Sequence, residues 1–112
     1  MEERALSIVI DDRELRSGVA RRLYSLGVEL NARRLDVADY IVSEEIGIER
    51  KSAAHFENSI VDGRLFYQAR DLAKNFNAPL LAIIGEDFSR LNPRAIMGAQ
   101  IDCFNQFVNP LP

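Results

Sequence analysis

The sequence predicts an α/β domain in which a central mixed β-sheet is flanked by helices. Two short apolar runs, at 8–10 and 80–84, are rich in branched residues and are typical of buried strands. Other segments carry apolar residues at helical spacing. Their order is strand, helix, three strands, two helices, strand, helix, which places helices on both sides of one sheet. We expect a single domain, because 112 residues is the length of one compact unit.

Helix boundaries are predicted from capping residues. We expect Asp12 to cap the first helix and Gly27 to end it, because apolar residues recur between them at helical spacing. Ser52 is predicted to cap the second helix, and Asn92 followed by Pro93 to begin the last one. The other strands and the third helix are predicted from their apolar patterns, at 28–35, 40–42, 46–48 and 65–76.

Composition narrows the class of protein. The single cysteine, Cys103, excludes an internal disulfide, and no apolar stretch approaches membrane-spanning length. We therefore expect a soluble intracellular protein, cytoplasmic or, in a eukaryote, nuclear. The net charge of −3 argues against a general nucleic-acid binder, but six arginines lie between Arg13 and Arg34 against two acids. Such a surface can hold phosphates, although charge alone favours an ordinary solvated helix face.

Four acids lie at predicted strand ends or beside them: Asp11, Glu14, Asp39 and Glu49. Residues two apart on a strand share a face, so Glu49 and Lys51 project together while Arg50 points away. If Asp39 begins the preceding hairpin strand, its carboxylate meets Glu49 across the turn. Two carboxylates and a carbonyl oxygen form a hard-oxygen site suited to Mg²⁺ or Mn²⁺.

This constellation matches the needs of phosphodiester hydrolysis. The reaction requires an activated water and compensation for the charge that develops on phosphorus, and a metal ion supplies both. A lysine beside the metal can orient or deprotonate the water, because crowding shifts its pKa readily. Asp followed by Glu-x-Lys on a strand is the pattern of PD-(D/E)XK nucleases. Taken alone, the same pattern also occurs on solvated strand edges.

Four ordered blocks resemble the XPF/Hef-type family of structure-specific endonucleases. Ile-Asp-Asp-Arg-Glu-Leu at 10–15 is similar to the family's Val-Asp-x-Arg-Glu, and Asp-Val-Ala-Asp-Tyr-Ile at 36–41 to its Gly-Asp-Tyr-Ile segment. Ile-Glu-Arg-Lys at 48–51 matches the Glu-Arg-Lys signature. The run at 59–68 resembles Ser-Ile-x-Asp-Gly-Arg-x-x-x-Gln. The resemblance implies a nuclease domain that cuts fork, flap or 3′-overhang DNA in repair and replication-fork processing.

The resemblance also implies residue roles. Asp39 and Glu49 would be metal ligands, Asp11 would complete the acidic pocket, and Lys51 would act on the nucleophilic water. Four residues would support the site or the substrate phosphates: Glu14, Arg50, Arg64 and Gln68. The candidates for phosphate contacts, which position DNA without distinguishing bases, are Arg13, Arg16, Arg33, Arg34, Arg50 and Arg64. The implied partners are branched DNA and Mg²⁺ or Mn²⁺.

Two positions depart from the family pattern. Ala38 replaces the glycine before Asp39, which is tolerable provided that the backbone needs no positive φ there. His55 replaces the aspartate of Glu-Arg-Lys-x-x-x-Asp. At the third position of a helix capped by Ser52, a carboxylate would favour the helix dipole, and a histidine loses that contribution. We hypothesise that His55 weakens cleavage without abolishing it.

The family normally continues past the helix at 93–107 into another strand and helix, and then into a tandem helix-hairpin-helix domain. We therefore interpret residues 1–112 as a truncated nuclease domain. The last helix is rich in apolar residues, which suits a homodimer through the C-terminal region; packing onto its own sheet is the alternative. A non-catalytic scaffold of the same family is the second functional hypothesis. An ordinary ligand-binding α/β domain is disfavoured, because no glycine-rich loop follows the first strand.

Overall fold

The computed structural model describes residues 6–109 and confirms the predicted class, a five-stranded mixed sheet between helices. The strands are β1 (Ser7–Asp11), β2 (Glu29–Arg33), β3 (Tyr40–Ile41), β4 (Ile46–Ser52) and β5 (Ala78–Ile84). The helices are α1 (Gly18–Ser25), α2 (Ala53–Val61), α3 (Leu65–Asn75) and α4 (Pro93–Val108), with a short 3₁₀ helix at Asp12–Arg16. The strand order is β2-β1-β3-β4-β5, with β3 antiparallel to both neighbours and the outer pairs parallel.

Two apolar layers cover opposite faces of the sheet. On one face, α1 packs over a cluster centred on Ile10, Ala20 and Tyr40. On the other, α2, α3 and α4 share a core built around the fully buried Phe56, with Leu65 and Ile96 packed beside it. Successive strand residues point to opposite faces, so each of the central strands contributes to both layers.

The first helix begins later than the sequence predicts. Asp11, not Asp12, caps the 3₁₀ helix, and its carboxylate accepts the peptide N–H of Arg13. Ser17 then adopts an extended conformation and caps α1 by accepting the N–H of Ala20 at 3.1 Å. The prediction that Asp12 caps one continuous helix is therefore wrong. Ser17 offers its hydroxyl as a local hydrogen-bond acceptor, which favours a cap over a helix interior.

The other predicted caps are confirmed. Ser52 Oγ accepts the N–H of His55 at 3.1 Å, and Asn92 Oδ1 accepts the N–H of Ala95 at 2.9 Å. The run at 80–84 is a strand as predicted, but it lies at the sheet edge rather than buried on both faces. Leu80 and Ile84 are about half exposed, at 50% and 48%. Within residues 6–109, none of the helices is long and apolar enough to cross a lipid bilayer.

A close contact fixes the start of β4. The ring of Phe76, which follows α3, lies so near Gly47 that a methyl group at position 47 would overlap it. The absence of a side chain there lets the end of α3 pack directly on the strand. Because β4 carries Glu49 and Lys51 a few residues further on, this contact also fixes the height of α3 above those side chains.

Ala38 is the one non-glycine residue between 6 and 109 with a positive φ, at 74°. The condition under which the replacement of glycine is mild is therefore not met. A methyl group in this region of backbone space meets the neighbouring carbonyl, which costs about 1 kcal/mol or more. The strain falls on the residue directly before Asp39, and Ala38 is buried, so the surrounding structure holds it there.

We predict that Ala38→Gly stabilises the chain by about 1 kcal/mol, because glycine adopts a positive φ without a steric penalty. Urea denaturation of the two proteins measures the difference. Ala73→Gly, inside α3, is the matched control. It should have the opposite sign, since glycine is the poorer helix former by up to about 1 kcal/mol. A destabilised Ala38→Gly protein would contradict the strain at position 38.

Candidate active site

Three carboxyl-bearing residues form one row across the sheet. Tyr40 pairs with Ile10 on β1 and with Ile48 on β4. The next row therefore contains Asp11, Asp39 and Glu49, and the peptide N–H groups of Asp11 and Asp39 each donate to the neighbouring strand at 2.8 Å. Strand alternation turns this row away from α1 and toward α3. The predicted meeting of Asp39 with Glu49 thus follows from the antiparallel register.

Asp11 is the most constrained member of the row. Its side chain is 2% exposed, and each carboxylate oxygen accepts two hydrogen bonds, from the peptide and guanidinium groups of Arg13 and from the N–H of Leu35. The Arg13 guanidinium holds the pKa of Asp11 at about 2, against the opposing effect of burial. Asp11 thus ties the loop before Asp39 to the end of β1.

Asp39 and Glu49 experience the opposite electrostatics. Burial raises the pKa of Asp39, although the peptide N–H of Arg50 donates to its Oδ2 at 2.8 Å. Burial, and then the negative charge of Asp39, raises the pKa of Glu49 to about 7. A second charged oxygen is therefore costly beside the first, and a bound cation would relieve that cost.

Lys51 follows Glu49 on the same face of β4 and is buried. Burial is the main cause that lowers its pKa; the positive charge of Arg64 acts in the same direction, and the charge of Glu49 opposes both. A lysine with a lowered pKa gives up a proton more readily than an exposed one. The structure therefore places a proton-accepting candidate two residues from a carboxylate.

On the opposite face, Arg50 is fixed by a polar network. Its guanidinium donates to both oxygens of Glu14, at 2.9 and 2.8 Å, and the Tyr40 hydroxyl donates to Glu14 at 2.6 Å. Burial raises the pKa of Glu14, but the bonds from Arg50 and Tyr40 outweigh it and leave the pKa lowered. The Arg50 side chain points away from Glu49 and Lys51, as predicted, while its peptide N–H reaches Asp39.

The carboxylate pair separates two clefts. The first, which we call the acidic cleft, has a volume of about 350 Å³ and is lined by residues that include Asp11, Arg13, Asp36, Asp39, Glu49, Gln68 and Asp71. The second, which we call the basic cleft, has about 360 Å³ and is lined by Glu14, Asp39, Glu49, Arg50, Lys51, His55, Asn58 and Arg64. The two clefts share Glu14, Asp39 and Glu49, so one ligand group can approach the carboxylate pair from either side.

The predicted supporting residues distribute between these clefts. Gln68 lines the acidic cleft, and His55 and Arg64 line the basic one. His55 is exposed near the start of α2, and Arg64 is also exposed and pairs with Asp62 at 3.0 Å. The structure thus brings every predicted supporting residue to the rim or floor of the site.

Some of the arginines between Arg13 and Arg34 already form ion pairs within the chain. Arg13 pairs with Asp11, and Arg34 pairs with Asp12 at 2.8 Å. Arg16 and Arg33 are exposed, but neither lines the two clefts. Of the predicted phosphate contacts, only Arg13, Arg50 and Arg64 line a cleft beside the carboxylate pair.

Three participants were missed by sequence reasoning. Tyr40 donates to Glu14, Asn58 lines the basic cleft, and Glu57 is fully buried one residue before Asn58. Asn58 follows His55 by three residues on α2, and that spacing could have indicated a shared face. No comparable signal marks Glu57, because a buried acid in a helix looks like any other charged position until its partners are known.

The donor set fits a hard divalent cation in part. Two carboxylates of raised pKa lie side by side, and Gln68 Oε1 in the same cleft has no hydrogen-bond partner among residues 6–109. These are the oxygen donors that Mg²⁺ and Mn²⁺ prefer. No cluster of three or more His, Cys, Asp or Glu side chains within 6–109 is arranged to hold a metal. The pair, rather than a triad with Asp11, is therefore the ligand set that fits.

The chain is similar in sequence to known proteins. Residues 10–106 match the family described as the ERCC4 domain. The chain is 37% identical over 109 residues to a Methanocaldococcus jannaschii protein whose name describes an ATP-dependent RNA helicase, covering 97% of this chain and 14% of that protein. It is 36% identical over 81 residues to the 3′-flap repair endonuclease Xpf of Saccharolobus solfataricus, covering 72% of this chain and 35% of that protein.

The chain is also similar to a solved structure. XPF from Aeropyrum pernix in complex with DNA superposes with a TM-score of 0.83 at 33% identity, covering 91% of this chain and 52% of that chain. The chain thus spans between 14% and 52% of the length of these three relatives.

We predict that Glu49→Gln stabilises the chain only at higher pH. The folded pKa of about 7 lies above the usual value of 4.5, so the folded chain holds the proton more tightly. Stability is therefore lost as the pH rises from about 4.5 to about 7, and glutamine removes that loss. In urea denaturation without divalent metal, the variant should gain roughly 1–3 kcal/mol near pH 8 and almost nothing near pH 4.

Glu44→Gln, in the exposed turn before β4, is the control for removal of a carboxylate and should change stability by no more than about 0.5 kcal/mol. An equal effect of Glu49→Gln at both pH values would contradict the raised pKa.

Proposed function

Because the chain belongs to the ERCC4 domain family, the family of XPF-type DNA repair endonucleases, we propose that it is a metal-dependent endonuclease acting on fork, flap or junction DNA. The observation that carries the proposal is the row that brings Asp39 beside Glu49, with Lys51 two residues further along the same strand. The raised pKa values of both carboxyl groups mark a position where positive charge is favoured.

In the proposed mechanism, Asp39 and Glu49 would hold Mg²⁺ or Mn²⁺, which would acidify a water and offset charge on the phosphate. Lys51, whose pKa is lowered by burial, would orient the attacking water or accept its proton. The peptide N–H of Arg50 fixes the carboxylate of Asp39, and Arg64 contacts a phosphate at the basic cleft. Asp11 has a supporting role, because its oxygens are already occupied by Arg13 and Leu35.

Branched DNA is the proposed partner. The related structure from Aeropyrum pernix contains DNA, and the basic cleft offers cationic side chains beside the carboxylate pair. Contacts of this kind address phosphates, so binding should fall with salt and depend little on sequence. The preference for a branch point is taken from the relatives, since no cleft residue identifies a junction by itself.

A catalytically inactive DNA-binding scaffold is the second candidate. The observation in its favour is His55, which occupies a family aspartate position at the rim of the basic cleft. Against it, Asp39, Glu49 and Lys51 are all present, and they share the buried face that hydrolysis would need. We therefore favour the enzyme.

We expect the chain to cut forked or flapped DNA in Mg²⁺ or Mn²⁺, and Asp39→Asn and Lys51→Ala to lower the rate at least 100-fold or so, because a removed ligand or proton acceptor is not replaced. Labelled substrates in excess metal, analysed on denaturing gels, measure the rate. Glu44→Gln is a control that should cut at the wild-type rate. Equal products from wild type, Asp39→Asn and Lys51→Ala would refute the proposal.

The same assay tests position 55. His55→Asp should raise the cleavage rate by about threefold to tenfold, since a carboxylate in the first turn favours the helix dipole and adds an acceptor at the basic cleft. Ala54→Asp, one residue earlier and also exposed, separates the effect of position from that of charge. An unchanged rate would show that the departure at position 55 has no catalytic weight.

We further propose that the chain forms a homodimer through α4. Four apolar side chains, Met97, Ile101, Phe104 and Val108, are each more than half exposed and recur at intervals of four, three and four residues. They form one stripe along most of the helix, whereas Ile96 and Cys103 on its other side are buried in the core. One face of the helix therefore packs onto the chain's own core, and the apolar stripe on another face is the surface that supports the proposed dimer.

In light scattering coupled to gel filtration, the wild type should elute as a dimer and Phe104→Glu as a monomer, since a charge in the stripe must be desolvated on association. Tyr24→Glu on α1, at a residue that is 75% exposed, is the matched control and should remain dimeric. A wild-type monomer at high micromolar concentration would exclude this interface.

A further inference from the structure

The segment between β5 and α4 has no regular structure, yet it is held firmly. Phe88 packs edge-on against Phe56 with ring centroids 6.4 Å apart, and Leu91 joins the same core. Between these two anchors lies Arg90, which is exposed. The segment therefore packs its apolar residues against the core and leaves Arg90 exposed.

Glu57 provides the main polar attachment of this segment. Its side chain lies on α2 and is 0% exposed. The carboxylate accepts three consecutive peptide N–H groups, from Ser89 at 3.0 Å, Arg90 at 2.9 Å and Leu91 at 2.7 Å. Burial raises the pKa of Glu57, but the three peptide bonds outweigh burial and leave the pKa lowered. The carboxylate is thus charged at neutral pH.

The next residue on α2 determines where Arg90 points. The Arg90 guanidinium donates to Oδ1 of Asn58, and Asn58 lines the basic cleft together with His55 and Arg64. The salt bridges within residues 6–109 involve four other arginines and not Arg90. The charge of Arg90 acts on Glu57 only as the last of the causes that lower the pKa of that carboxyl. A guanidinium held in this way is prepared to meet an anion.

We propose that Arg90 is a further phosphate-contacting residue at the rim of the basic cleft, and that Glu57 is the positioning residue that holds it there. The inference rests on the proposed function, because the phosphate is that of the bound DNA. The plain alternative is that Glu57 only attaches a surface loop and affects stability alone.

The two explanations differ in the effect that they predict for DNA affinity when the charge of Glu57 is removed. Removing a negative charge from a protein tightens DNA binding if electrostatics alone acts. If Glu57 acts through Arg90, its neutralisation instead weakens binding, because the guanidinium is no longer held at the cleft. Glu86→Gln removes the same charge from the start of the same segment, at an exposed position, and leaves the attachment intact. It is therefore the matched control.

The test is the affinity for labelled fork DNA, measured by fluorescence anisotropy in EDTA over a range of salt concentrations, so that no cleavage intervenes. Arg90→Ala should weaken binding by about fivefold to tenfold and make the salt dependence shallower by about one unit. Lys74→Ala removes one positive charge from the exposed end of α3. It should change affinity less than twofold.

Glu57→Gln should weaken binding by about threefold to tenfold, while Glu86→Gln leaves it equal or tighter. Combining Glu57→Gln with Arg90→Ala should add nothing further, because both changes act on one contact. Thermal unfolding followed by circular dichroism sets a temperature at which each variant is folded. If Glu57→Gln does not fold, Asn58→Ala takes its place; it should weaken binding alone but not in the Arg90→Ala background.

Wild-type affinity in Arg90→Ala, or a Glu57→Gln protein that is less stable but binds normally, would overturn the inference. An absence of fork binding by the wild type would overturn it as well. Cleavage decides the proposed function separately. Cutting that depends on Asp39 and Lys51 but not on Arg90 keeps the nuclease and removes this contact. Binding that depends on Arg90 without any cutting keeps this contact and removes the nuclease.

Discussion

Repulsion between carboxylates in one row of the sheet is the constraint around which the domain is arranged. Like charges directly opposite each other on neighbouring strands destabilise a sheet, and this row places Asp39 between Asp11 and Glu49. Asp11 is neutralised by Arg13, and Asp39 receives one peptide N–H from Arg50. Glu49 receives the least compensation, and its pKa shows it. The negative charge is thus balanced at the Asp11 end of the row and left uncompensated at the Glu49 end, beside Lys51.

The same alternation of strand residues keeps this polar row compatible with a stable fold. Ile10, Tyr40 and Ile48 lie one row away and face α1, where they form an ordinary apolar layer. Tyr40 serves both purposes, because its ring belongs to that layer while its hydroxyl binds Glu14. Glu14 in turn holds the Arg50 side chain on the α1 side. The polar network therefore crosses the sheet at β4, and the site and the core share their attachment points.

Much of this arrangement could be predicted from local pattern. The Ser52 and Asn92 caps, and the common face of Glu49 and Lys51, depend only on spacing along the chain. The failures depend on contacts or dihedral angles that spacing does not encode. Ser17 interrupts the first helix by capping α1, and Ala38 takes a positive φ that its residue type disfavours. The role of Glu57 required knowledge that a segment more than 30 residues later folds over it, as the separations of 32 and 34 residues show.

The junction between β4 and α2 limits which sequence changes such a domain can accept during evolution. Ser52 is both the last residue of the strand and the cap of the helix, so no loop separates Lys51 from His55 and Asn58. One inserted residue would turn the helix by about 100° and carry both side chains off the cleft. Length variation is therefore excluded between positions 49 and 58, and diversity there has to arise by substitution in place. The histidine at position 55 is a change of that permitted kind.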